Sequence, residues 1–150
     1  MTASNHKADS YARWIARAHY REFSAYLVYY LANETPGARS IAREKLARLT
    51  RQQFHELSTD VYDELVRRKE NDESNDGAHQ ISLYVYSTSL NGCPHSVPFL
   101  PAHDDFHPKR NQARHKLGTL PPSRFKDLSS DVYYELVRRY PEVKEEELEP

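Results

Sequence analysis

The chain carries one segment twice at a fixed spacing. Residues 39–68 and 110–139 align without a gap at an offset of 71, and 17 of the 30 pairs are identical. The shared part reads Phe-x-x-Leu-Ser-x-Asp-Val-Tyr-x-Glu-Leu-Val-Arg-Arg, starting at Phe54 and again at Phe125. Self-similarity at a constant period marks a repeated supersecondary unit that cannot bury its apolar face alone and needs a neighbour. The repeat therefore sets both the architecture and the kind of function to look for.

Within each copy the apolar residues have helical spacing. Phe54, Leu57, Val61 and Leu65 fall within about 80° of one another at 100° per residue, and Phe125, Leu128, Val132 and Leu136 repeat the pattern. Ahead of them, Ile41, Ala42, Leu46 and Leu49 form the stripe of a shorter helix, mirrored by 109–117. Thr50 followed by Gln53 makes a capping box, and Pro121-Pro122 suits the first turn of the last helix. An aromatic helix over about residues 10–33 precedes the repeats. It has two apolar faces, one with Tyr20, Phe23, Leu27, Tyr30 and Leu31, the other with Tyr11, Trp14, Ala18 and Tyr29. Such a helix sits between two surfaces, and the simplest expectation is that both faces are core. The expected fold is all-α, about five helices, with tandem helical hairpins stacked through matching faces and packed on the aromatic helix.

The expected organisation is a helical domain over 10–140, with repeats at 39–68 and 110–139. An irregular connector covers 70–105, because 70–77 is charged, amide-rich and aperiodic. A solvated acidic tail covers 141–150. The run 81–86 looks like a strand, but a single strand in a helical chain has nothing to pair with.

Composition excludes several classes of function. Twenty-one basic and 22 acidic residues give a net charge of -1, so no chain-wide positive field for nucleic acid exists. The mean hydropathy of -0.88 and the lack of a long apolar run argue against membrane insertion and for a soluble, cytoplasmic module. A single cysteine, Cys93, excludes an internal disulfide. Cys93, His95, His103 and His107 are ligand-type residues close together, yet they match no zinc spacing. Ser58 and Ser129 belong to the helical repeat, and there is no Gly-rich phosphate loop or nucleophile elbow. No catalytic, cofactor-binding or metal-ligating residue is assigned. Arg67, Arg68, Arg138 and Arg139 lie in last turns, where positive charge complements the helix dipole; the alternative is a pair of basic rims for an acidic partner.

The two Asp-Val-Tyr-x-Glu-Leu-Val-Arg-Arg segments, with 98–101 (Pro-Phe-Leu-Pro) and Asp-Phe-His-Pro-Lys-Arg-Asn-Gln-Ala-Arg ending at Arg114, resemble the Spa homology domain (SHD). That domain occurs in the fungal polarisome scaffold family and is related to the GIT ArfGAP scaffolds. The likeness covers most of residues 20–142, and the stretch 79–96 departs from the family pattern. The resemblance implies a non-enzymatic N-terminal module of a longer scaffold, acting at cortical sites of polarised growth such as a bud or hyphal tip or septum. It implies protein partners, among them MAP kinase kinases, Rab GTPase-activating proteins and other polarity proteins. On this reading the module binds a short helical or extended segment between its hairpins. The rim would be Arg67, Arg68, Arg138 and Arg139, with Tyr26, Tyr29, Tyr30, Tyr62 and Tyr133 as anchor contacts. The alternative is a self-association module, a homodimer made through the two-faced first helix.

Overall fold

The computed structural model describes residues 3–75 and 98–145, and among them the chain is helical with no strand. Seven helices are described: α1 (Ala3–Tyr26), α2 (Val28–Ala32), α3 (Ser40–Ala47), α4 (Arg51–Asn75), α5 (Pro108–Leu117), α6 (Pro122–Arg139) and α7 (Glu142–Glu145). The strand-like run 81–86 and the Cys93–His95 pair lie outside the described residues.

Local chemistry accounts for most of the boundaries. The capping box forms as expected: the Gln53 amide donates to Thr50 Oγ1 at 3.1 Å and the Thr50 amide to Gln53 Oε1 at 3.0 Å. Pro36-Gly37 turns the chain between α2 and α3, with Gly37 at φ 79° in the left-handed region that a side chain disfavours. His107 Nδ1 accepts the Lys109 amide at the start of α5, a capping role the sequence reading had not assigned. Pro141, which has no amide hydrogen, follows the end of α6 at Tyr140.

Two expectations about the ends of the repeats are corrected. The first repeat's long helix does not stop at Arg68 but runs on to Asn75. Polarity suggested a connector there, but Lys and Glu are good helix formers and no Gly or Pro intervenes before Gly77. The start of the acidic tail is also ordered: α7 covers Glu142–Glu145, and Val143 is 3% exposed.

The chain divides into two compact units, residues 1–59 with 121–150, and residues 60–120. In the first, α1, α6 and α7 enclose a core that includes Tyr20, Phe23, Leu27, Phe54, Phe125, Val132, Leu136 and Val143, all nearly or fully buried. Tyr20 stacks on Tyr133 at 5.6 Å between ring centres, and Tyr26 lies 6.0 Å from Phe125. His19 Nδ1 meets Ser58 Oγ at 2.8 Å and joins α1 to α4 in the buried interior. The second unit is built on α4 and α5, with Val61, Leu65, Leu100 and Leu117 buried. Phe99 stacks on His115 at 4.0 Å and lies against Gly118, where an added Cβ would come within 2.6 Å of the ring.

The pairing of the repeats differs from two stacked hairpins. Within the first unit, α3 of repeat one packs on α6 of repeat two: Arg39 and Arg43 both bond Asp131. Within the second, α5 of repeat two packs on α4 of repeat one: Arg110 and Arg114 both bond Asp60. Arg68 Nη2 donates to the Leu117 and Leu120 carbonyls at 2.8 Å each. At the matching positions 71 residues away, Arg139 donates to the Leu46 and Leu49 carbonyls at 3.2 and 2.8 Å. Each unit thus combines the short helix of one repeat with the long helix of the other.

The outer face of α1 meets solvent, contrary to the expectation that both faces are core. Tyr11 and Trp14 are 61% and 63% exposed, so only one of the two apolar faces is core.

Candidate partner-docking site

The repeated Asp-Val-Tyr-x-Glu-Leu-Val-Arg-Arg motif resolves into internal bonds. Glu64 is fully buried and receives Arg67 (2.8 and 2.6 Å) and Arg68 (2.6 Å) from three and four positions on. Glu135, 3% exposed, receives Arg138 at 2.8 and 2.7 Å, and Arg139 as well. Burial pushes the Glu135 carboxyl up, but the two guanidinium groups outweigh it and hold it below its usual range. The Asp of each motif anchors the short helix of the other repeat, and the second Arg caps that helix's free carbonyls. The dipole reading of these arginines saw the helix that carries them and missed the helix end they reach.

The nine residues expected at a docking surface therefore separate. Arg67, Arg68 and Arg139 have side chains only 10%, 17% and 16% exposed, whereas Arg138 is 58% exposed. Tyr133 is buried between Tyr20 and Tyr134. Tyr62, Arg67 and Arg68 belong to the second unit, and Tyr62 is half-buried.

Tyr26, Tyr29 and Tyr30 come together in the first unit. Tyr29 and Tyr30 line an open cleft of about 430 Å3 with Asn33, Glu34, Thr35, Ala38, Arg39 and Lys126. The turn after α2 shapes one wall, where Asn33 Nδ2 donates to the Tyr29 carbonyl at 2.8 Å. Tyr29 is 82% exposed at the mouth. Tyr30 donates its hydroxyl to Asp127 at 2.7 Å, and burial, with Asp127 and Glu34 adding to it against an opposing hydrogen bond to Ser130, raises its pKa so that it stays a neutral donor.

The charges lining this cleft are almost all matched. Glu34 receives Arg43 and, at 3.1 Å, the Tyr134 hydroxyl. Arg39 is forked on Asp131, and that bond holds its proton more tightly than usual. Among the described residues, Lys126 has no carboxylate at ion-pair distance; its ammonium lies 5.5 Å from the Tyr26 ring. Lys126 escaped the sequence reading because it sits in a non-identical position of the second repeat, where the first has His55. An exposed phenol ring, amide groups and one uncompensated cation suit recognition of an acidic, partly apolar segment.

The ligand-type histidines serve other ends. His103 packs on Phe106 at 4.7 Å and exchanges backbone bonds with the Asn111 side chain, while His107 caps α5. Among the described residues no group of three or more such side chains could hold a metal ion, and no helix is long and apolar enough to cross a membrane.

Paired helical repeats, one of the two units carrying an open tyrosine-lined cleft, define an all-helical repeat module. A family model described as the Spa2 homology domain (SHD) of GIT matches residues 42–70 and 113–140, one segment in each repeat. The solution structure of SPA-2 SHD matches at a TM-score of 0.67 and 41% identity, over 89% of this chain and 90% of that one. The chain belongs to the Spa2 homology domain family, whose members serve as scaffold domains. ARF GTPase-activating protein GIT1 of Homo sapiens is 38% identical over 98 residues, and ARF GTPase-activating protein Git of Drosophila melanogaster 36% over 100. These spans are 65% and 66% of this chain but 12% of each relative. The likeness is confined to their SHD region and does not extend to their catalytic domain.

Proposed function

We propose that the chain is the recruiting domain of a cell-polarity scaffold, and that it docks a short helical or extended acidic segment of a signalling protein in the Tyr29–Lys126 cleft. The fine identity of the partners follows the family likeness: MAP kinase kinases and Rab GTPase-activating proteins, gathered at cortical sites of polarised growth. The observation that carries the reading is the uncompensated Lys126 ammonium, set in a tyrosine-lined cleft whose other charges are internally matched. Arg67, Arg68 and Arg139 hold the fold, and exposed Arg138 lies about 18 Å along α6 from Lys126, away from the cleft.

The test is a pull-down of MAP kinase kinase and Rab GTPase-activating protein fragments by the wild-type chain and by a Tyr29→Ala/Lys126→Glu variant. Both substitutions are on exposed or half-exposed side chains, so folding is checked by an unchanged melting curve. Loss of capture is expected. Capture at the wild-type level would refute the cleft, and no capture by either protein would refute these partner classes.

A further inference from the structure

The outward face of α1 takes no part in the docking cleft's chemistry and has an order of its own. Tyr11, Trp14, Ala18, Arg21, Ala25 and Val28 recur at intervals of three, four, three, four and three. That is the spacing of a helix-pairing seam. At 100° per residue the seam points about 180° away from the buried Ala16, Tyr20, Phe23 and Leu27. Trp14 is 63% exposed and, among the described residues, stacks on its neighbour Tyr11, and Val28 is 54% exposed. Leu27 departs from helical geometry (φ -101°, ψ 6°) between α1 and α2, and the bonds Leu27 N–H to Phe23 and Leu31 N–H to Leu27 flank the break.

We propose that this seam pairs antiparallel with the same seam of a second copy of the chain. Sizes along it run from large at the N-terminal end, Tyr11 and Trp14, to small at the other, Ala25, with Ala18 and Arg21 at the centre. Reversing one copy sets Trp14 on Ala25, Arg21 on Ala18 and Tyr11 on Val28, and the two-fold axis makes each contact twice. Trp14 and Arg21 then each meet an alanine, so the middle of the seam is complementary to its own reverse. A parallel pair would set Trp14 on Trp14 and Arg21 on Arg21, which clash and repel. The antiparallel flanks oppose Ile15 to Glu22 and Arg17 to Ser24, and no arginine lies directly on an arginine, the two Arg21 positions being about 4.5 Å apart along the helix axes. α1 is about 36 Å long at 1.5 Å per residue, so a single helix pair makes a small interface and a weak, concentration-dependent dimer.

Trp14 is the chain's only tryptophan and reports the seam directly. Mass by light scattering and Trp14 emission are followed through a dilution series. The mass is expected to rise from one chain to two with concentration, and the emission to move to the blue in step. Ala18→Lys faces Arg21 of the second copy and should abolish both changes, whereas Ala18→Glu faces the same arginine and should retain them. Dilute samples of both variants should melt as the wild type does, since position 18 lies off the core.

A single-chain mass at every concentration, or a mass climbing past two chains, overturns the proposal. Dimerisation that survives Ala18→Lys places the interface elsewhere, and loss in both variants rejects the antiparallel register. A blue shift seen only with vesicles of anionic lipid, at constant protein mass, makes the face a membrane contact instead.

Discussion

Arg39 grips Asp131 from 92 positions away, Nε to Oδ1 at 2.9 Å and Nη2 to Oδ2 at 2.7 Å. This two-point contact pins α3 to α6, and Arg43 adds a third bond to the same carboxylate at 3.2 Å. Asp131 is 3% exposed, but the two arginines keep 29% and 21%. Asp131→Ala should therefore cost about 3 kcal/mol, the low end for breaking a buried pair, because the freed cations still reach water. Arg39→Lys keeps the charge and loses the fork, at about 1–2 kcal/mol. Urea titrations should rank the two variants in that order; equal losses would mean the fork contributes nothing beyond charge.

The two apolar stripes should be equally sensitive to truncation. Leu65 is 0% and Leu136 2% exposed, so removing three carbons leaves a cavity in either unit. Leu65→Ala and Leu136→Ala should each lower stability by about 2–5 kcal/mol. A thermal melt unchanged in either variant would place that leucine in water.

Much of this interior was legible because burial follows angular position on a helix. Phe54, Val61 and Leu65 and their counterparts Phe125, Val132 and Leu136 all lie at 0–3% exposure, as the spacing required. What a helical wheel does not encode is the partner. Arg39 and Arg110 occupy equivalent positions, as do Asp60 and Asp131, so pairing within a repeat and pairing between repeats look identical in sequence. The crossed arrangement appears only when the chain is folded. Of the candidate site, Tyr26, Tyr29 and Tyr30 were in view because they share one helical run. Lys126 and Asp127 were not, since they reach the cleft from α6, close to a hundred positions away. The length of α4 is hidden for another reason: polarity reads as a loop signal, whereas helix propensity and the absence of Gly and Pro decide.

His19 should make the fold acid-sensitive. It is 5% exposed, and burial, helped by the nearby His55, lowers its pKa from 6.5 to about 4. Between those values the unfolded chain takes up a proton that the folded chain refuses, so stability present above 6.5 is lost as the pH falls towards 4. The loss from this group should reach about 2 kcal/mol by about pH 5 and about 3 kcal/mol in full. His19→Gln, which cannot titrate, should flatten this part of the profile in urea titrations across that range. An unchanged slope in the variant would assign the acid response to other groups.

Adjacent arginines at the end of α6 should behave differently from each other. Arg139 donates to the Leu46 and Leu49 carbonyls, lies 4.5 Å from the centre of the Phe54 ring and bonds Glu135, at 16% exposure. Arg138 bonds the same Glu135 but is 58% exposed and bonds no backbone carbonyl among the described residues. Lysine at 139 would keep one charge and lose the spread of donors that reaches both carbonyls, leaving the last turn of α3 uncapped. Arg139→Lys should cost about 1–3 kcal/mol and speed amide exchange around Leu46 and Leu49. Arg138→Lys gives up only a surface-exposed fork and should stay within about 0.5 kcal/mol of wild type. Hydrogen exchange on the two single variants checks this, and equal effects would mean that the carbonyl caps do not stabilise α3.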